Sequence, residues 1–400
     1  MAATYSLGVF NDNFFKQTAM LIAVGGGQGS RQGAIVLVFT LPYLLFSAYA
    51  GWLADRFPKR RVVIASKVLE VAAMVWGAIG IVTVNWPLVL TVAFVMGAQS
   101  AIFSPALNGS IPELYPAAYV VRANGILKMV VTASILFGVV MAGIALNVKA
   151  PGVGGVPAGR TIVAAGVIVV ALLGMVLSLG VADRPAADSR SKFPWTGPLR
   201  TLRQLCETRR DPLLLLAIAG DTFVWSAGAL AIILINEMGL KQFHLSEGAT
   251  SGLVAAELIG IGIGGLAVGS ITKNEQWHRV LVPSSLALAV LMTLMAGVPR
   301  LPAPVQVPSL YLLLGLMGIA GGTFLIPCDS FVQVRPAPER KGAVISAANF
   351  AVFTGILLSG PVGNLLNSAL LPTRSFSVMG GVAAFVCGAL ALALHRWGKA

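Results

Sequence analysis

Long apolar runs separated by short polar turns set the pattern of this chain. Twelve of them fall at Tyr5–Val24, Ala34–Ala54, Val62–Val84, Leu88–Leu107, Val120–Leu146, Thr161–Val181, Pro212–Ile235, Thr250–Ile271, Val280–Val298, Leu310–Val332, Ala343–Leu366 and Phe376–Leu394. Each approaches the ~20 residues that a helix needs to cross a hydrocarbon core. The longest polar stretch, Ala182–Asp211, leaves six runs on either side. The pattern predicts an all-α membrane protein of twelve transmembrane helices. It is organised as a six-helix bundle over 1–181, a cytoplasmic linker over 182–211 and a second six-helix bundle over 212–400. The linker begins with polar residues that read as solvated. Farther on, Leu199, Leu202, Leu205 and Cys206 recur at helical spacing opposite several arginines, which predicts a short amphipathic helix on the membrane surface.

Charge orients these runs. The turns after even-numbered runs hold Arg56, Lys59, Arg60, Arg61 and Arg122, the linker arginines, Lys273, Arg279, Arg335, Arg340 and Lys341. The opposite turns hold only Arg31, Lys149, Arg160, Lys241, Arg300 and Arg374. Basic short loops stay cytoplasmic, so both termini are expected on that side. Composition agrees, at 56% hydrophobic and 11% charged residues against roughly 25% charged in soluble domains. The net charge of +13 sits in short loops and forms no interleaved nucleic-acid face, so no nucleic-acid partner is expected. Cys206, Cys328 and Cys387 lack metal or redox spacing. The first run shows no cleavage site of a signal peptide. No phosphate-binding loop, metal-ligand cluster or activated nucleophile is visible, so neither enzyme activity, nor a cofactor, nor a metal is expected.

One turn stands out. Gly51-Trp-Leu-Ala-Asp55-Arg56-Phe-Pro-Lys59-Arg60-Arg61 joins the second and third runs. This spacing resembles the signature loop of the major facilitator superfamily. The resemblance implies two pseudo-symmetric six-helix bundles, with Gly51 allowing close helix contact and Asp55, Arg56, Arg60 and Arg61 taking part in gating. Echoes between the halves fit two parallel repeats. Phe10-Asn-Asp12-Asn-Phe14-Phe15 answers to Ala219-Gly-Asp221-Thr-Phe223-Val224, and Phe103-Ser-Pro105 to Leu325-Ile-Pro327. Arg122-Ala-Asn124 answers to Ala347-Ala-Asn349, and Gly51–Arg61 to Gly269–Arg279, where Lys273 replaces Asp55.

Ionisable groups inside apolar runs are costly and mark function by default. Asp12 and Lys16, one turn apart, form either a structural pair or part of a substrate site. Asp221 is the repeat mate of Asp12 and is expected to face the same cavity. Asn124 and Lys128 share a helix face below Arg122, which either binds substrate or partners Asp55 in the gate. Glu257, among Gly260, Gly262, Gly264 and Gly265, is a candidate for lining the cavity or for ion coupling. Phe14, Phe15, Phe223 and Trp225 offer an apolar wall, although such aromatics more often face lipid or core. Lys67 and Glu70 read as a paired, snorkelling set.

Three motifs narrow the resemblance. Phe10-Asn-Asp12-Asn13, the Phe103–Leu114 segment and Val121-Arg122-Ala-Asn124-Gly125 resemble the bacterial lysophospholipid transporter (LplT) family over essentially the whole chain. The segment Phe10-Asn-Asp-Asn-Phe-Phe-Lys-Gln17 is closer to the transporter domain of transporter–acyltransferase–acyl-ACP synthetase fusions. The resemblance implies a monomeric flippase in the bacterial inner membrane. Its substrates would be lysophosphatidylethanolamine and related lysolipids, moved from outer to inner leaflet for reacylation. A cytoplasmic acyltransferase/acyl-ACP synthetase is the implied partner, alongside membrane lipids. Asp12, Asn13, Arg122 and Asn124 carry over as substrate-binding residues, and Asn349 follows as the repeat mate of Asn124. Two departures stand against this: no basic residue lies near Ile232, where the family has one, and Lys128 occupies a position that is often acidic. The competing readings are a proton-coupled exporter of drugs or other amphiphiles and a non-transporting scaffold.

Overall fold

The computed structural model describes residues 2–114, 117–183, 185–186, 193–271 and 278–397. Side chains are not described at some helical positions within these ranges, among them 108–114, 117–125 and 128. The described residues form thirteen α-helices and no β-strand beyond one isolated bridge, Pro151 to Pro157. The first half holds α1 (Ala2–Gly25), α2 (Ser30–Arg56), α3 (Lys59–Thr83), α4 (Trp86–Leu114), α5 (Ala117–Leu146) and α6 (Ala158–Leu179). The short α7 (Gly197–Glu207) follows the linker. The second half holds α8 (Pro212–Glu237), α9 (Glu247–Ile271), α10 (Leu281–Leu294), α11 (Ala303–Val334), α12 (Pro338–Ala369) and α13 (Pro372–Trp397).

Eleven of these helices, some with a short helical continuation, are long and apolar enough to cross a membrane. The twelfth long helix, α1, has 24 residues, but Asn11-Asp12-Asn13 and Lys16-Gln17 interrupt its apolar run. Several helices outrun the apolar segments that predict them, as α11 does at both ends. Backbone hydrogen bonding has no reason to stop where side chains become polar. Starts are set by local chemistry. Asp211 accepts a hydrogen bond from the Leu214 N–H at 3.2 Å, and Pro212 occupies the first helical position of α8, where its missing N–H costs nothing.

The chain divides into two compact units, Met1–Ala23 with Ala34–Leu199, and Val24–Gly33 with Arg200–Ala400. In the first, α3 packs on α4 and α6, and α5 on α6. A buried cluster of Ala54, Val62, Val63, Phe103, Ala106, Leu107 and Val181 closes one end. In the second, the main pairs are α9 with α11, α10 with α13 and α8 with α12. The Val24–Gly33 turn belongs to this unit. There Asn236 Nδ2 donates to Gln32 Oε1 at 3.0 Å, and Gly33 meets the Gly360 backbone so closely that neither position has room for a side chain.

Candidate functional site

A buried polar network runs through the first unit. On α3, Lys67 Nζ donates to Glu70 Oε2 at 2.6 Å, and both side chains are 1% exposed. Glu70 Oε2 also accepts from Gln99 Nε2 of α4 at 3.3 Å, and Glu70 Oε1 accepts from Asn11 Nδ2 of α1 at 3.5 Å. Asn11 donates to the Val167 carbonyl of α6 as well, at 3.1 Å. Ser100 Oγ lies 2.5 Å from Asp12 Oδ2 and 3.1 Å from Gln99 Oε1. Its single hydroxyl hydrogen goes to the carboxylate, the shorter contact and the charged acceptor. Asp12 is 6% exposed, and its second oxygen, Oδ1, has no hydrogen-bond partner among the described residues.

Glycines make room for this chemistry. A methyl group on Gly8 would sit 2.9 Å from Lys67 Nζ, and one on Gly174 would sit 3.3 Å from it. The ammonium therefore occupies space vacated by two missing side chains, with the Phe103 ring centroid 5.4 Å away. Lys16 lies 4.7 Å from the Phe39 ring centroid, a cation–π contact. The expectation that Lys67 and Glu70 snorkel is overturned. They do pair, but α1, α4 and α6 enclose them. Snorkelling needs a path to water, and this face of α3 has none.

The other described candidates of this unit make contacts of their own. Phe15 is buried against Gly77 of α3, and Phe14 against Gly166 of α6. Both rings are taken up by helix packing and form no open wall. Asn13 Nδ2 donates to the Val9 carbonyl at 2.8 Å. Arg122, Asn124 and Lys128 fall on α5, but their side chains lie outside the described residues.

In the signature turn, Asp55 and Arg61 are exposed and Arg56 is half-buried. Arg60 donates to the Leu179 carbonyl at 3.0 Å, meeting the negative end of α6. Among the described residues nothing approaches Gly51, since a methyl group there would meet no atom of theirs within 4 Å. Instead, Phe193 of the linker stacks on Tyr49 at 5.2 Å and meets Trp52 edge-on at 5.1 Å. Most of the matching turn of the second half, including Lys273, lies outside the described residues.

In the second unit Asp221 and Glu257 are each 7% exposed. Phe223 packs edge-on against Phe324 at 6.4 Å, whereas Trp225 is 45% exposed and Asn349 is exposed. Gly260 and Gly264, near Glu257, serve helix packing. Methyl groups on Gly260 and Gly264 would strike carbonyl oxygens of α11, and methyl groups on Gly318 and Gly322 would strike those of α9.

Gln99 and Ser100 are functional candidates that the sequence did not single out. Neutral and adjacent in an apolar run, they carry no signal beyond polarity. Among the described residues no His, Cys, Asp and Glu cluster suits a metal.

Comparison with known proteins fits this architecture. The family model for the Major Facilitator Superfamily matches residues 7–353. Lysophospholipid transporter LplT of Enterobacter sp. (strain 638) is 27% identical over 381 residues, covering 93% of this chain and 89% of that protein. A D-xylose-proton symporter structure aligns with a TM-score of 0.71 at 14% identity, over 96% of this chain and 95% of that one. A bacterial homologue of the human lysosomal transporter Spinster, inward-facing and occupied, aligns at 0.68 and 15% identity, over 99% and 97%. At such identities the two structures speak for the fold alone, but the family match extends over most of the chain. The protein is thus a multi-pass membrane protein belonging to the major facilitator superfamily.

Proposed function

We propose that this protein is a lysophospholipid transporter. It would move lysophosphatidylethanolamine and related lysolipids from the outer to the inner leaflet of the bacterial inner membrane, by alternating access and without ATP. The observation that carries this reading is the buried network on α1, α3, α4 and α6, which leaves Asp12 Oδ1 without a partner among the described residues. A lysolipid has a cationic ammonium, an anionic phosphate and one apolar tail. The buried, unpartnered carboxylate oxygen suits the ammonium, and a half-buried cation such as Lys16 suits the phosphate. Asn13, Arg122, Asn124 and Lys128, with Asp221, Trp225 and Asn349, are further candidates for contact with the substrate. The Gly51–Arg61 turn, with Asp55, Arg56, Arg60 and Arg61, is the candidate gate. The name borne by the 27%-identical relative supports the substrate class. A cytoplasmic acyltransferase/acyl-ACP synthetase would consume the product and draw flux inward.

A second reading, a proton-coupled exporter of amphiphiles, is favoured by the buried carboxylate of Glu257. Flux of labelled lysophosphatidylethanolamine across proteoliposomes without any ion gradient decides between them. The transporter reading expects gradient-independent flux that Asp12→Asn lowers by about tenfold, the cost of one charge-assisted contact. Strict dependence on a proton gradient, abolished by Glu257→Gln, would overturn it in favour of the exporter.

A further inference from the structure

The second unit contains a cavity of about 510 Å³ that belongs to neither carboxylate site. It lies between α7, α8 and α12, and its apolar walls include Leu205, Ile218, Phe223 and Ala351. Two other lining residues are chemically distinct. Arg209, just past α7, is exposed, and Cys206 is an exposed free thiol. The volume falls in the range of small-molecule sites, roughly 300–1,000 Å³.

The charges nearby are arranged unevenly. Arg203 and Arg340 both pair with Glu207, at 3.5 and 3.3 Å, and Arg335 pairs with Asp211 at 2.9 Å. Arg209 has no carboxylate within ion-pair distance among the described residues, and no carboxylate lines the cavity. An apolar hollow with one uncommitted guanidinium matches an amphiphile with an apolar tail and a phosphate, which the planar fork of arginine binds through two parallel hydrogen bonds. Thr222 and Phe223 of the wall directly follow Asp221 on α8, so one helix serves both places.

We propose that this cavity binds a single-chain phospholipid, with the tail against α8 and α12 and the phosphate on Arg209. The identity of the lipid rests on the transporter reading above. Cys206 provides a reporter within the site, because Cys328 is buried and Cys387 can be removed.

The test uses the full-length Cys387→Ala protein in phosphatidylcholine nanodiscs and measures the rate of maleimide labelling at Cys206. Lysophosphatidylethanolamine is expected to slow labelling several-fold. Arg209→Gln, at an exposed position, is expected to raise the half-protecting concentration by about tenfold. Using the ratio of rates with and without lipid removes any direct effect of Arg209 on thiol reactivity. Equal protection by a neutral monoacylglycerol of the same chain length would overturn the phosphate contact and the proposal with it. No response to lysolipid would also overturn it, leaving a groove filled by bilayer lipid. Flux measured in parallel separates the two readings. Flux without protection rejects the cavity alone, and protection without flux rejects the transporter reading while the binding site stands.

Discussion

Lys67 and Glu70 show how much depends on a single pair of atoms. Removing one partner strands the other charge where water does not reach, and breaking a buried pair costs about 3–5 kcal/mol. Glu70→Gln is therefore expected to lower the thermal unfolding midpoint in detergent markedly. The double change Lys67→Met with Glu70→Met, which removes both charges, should recover most of that loss. A double variant as unstable as the single one would count against the pair. Ser100→Ala removes the donor to Asp12 and is expected to cost about 1–3 kcal/mol in the same measurement. Asp12 was legible from sequence because a carboxylate inside an apolar run has to be explained. The burial of Lys67 and Glu70 was not legible. A pair three residues apart looks the same whether its helix face meets water, lipid or another helix, and only the packing of α1, α4 and α6 decides.

Between elements, small residues set the contacts. Gly260 and Gly264 on α9 face Gly318 and Gly322 on α11, each pair one turn apart, so the two backbones approach without intervening side chains. A leucine at Gly318 would collide with the Glu257 carbonyl, and rigid backbone cannot yield as a side chain can. Gly318→Leu is expected to lose about 1–3 kcal/mol or more, seen as early unfolding and aggregation on size exclusion. Gly51→Ala meets open space inside a helix and is expected to be neutral or stabilising by up to about 1 kcal/mol. The twelve long helices were legible because the apolar runs are long and the turns short. The surroundings of Gly51 were not legible, because the motif gives its spacing but not its neighbours. The short α7 followed from the spacing of Leu199, Leu202 and Leu205, and its helical form is observed.

For the molecule as a whole, the echo between halves has a physical counterpart: Asp12 and Asp221 are buried to the same degree, each within its own unit. Asn349, the repeat mate of Asn124, stands on an exposed surface. The unit boundaries depart from a plain division at the linker, because Gln32 and Gly33 make their contacts with α8 and α12. No periodicity announces such long-range partners. Orientation can be tested on the intact protein through Cys206. If basic turns face the cytoplasm, a membrane-impermeant maleimide should label Cys206 in inside-out vesicles and leave it unmodified in intact spheroplasts; the opposite result reverses the topology. The Lys67–Glu70 bond also bears on how the chain enters the bilayer in the first place. Inserted singly, each charge would cost about 2.5–3.5 kcal/mol at the middle of a helix. Because both sit on one helix, one turn apart, they can neutralise each other while α3 is still leaving the insertion machinery, before α4 has been made. The polar interior of the bundle can thus be carried into the bilayer by one segment already balanced, and completed by its neighbours afterwards.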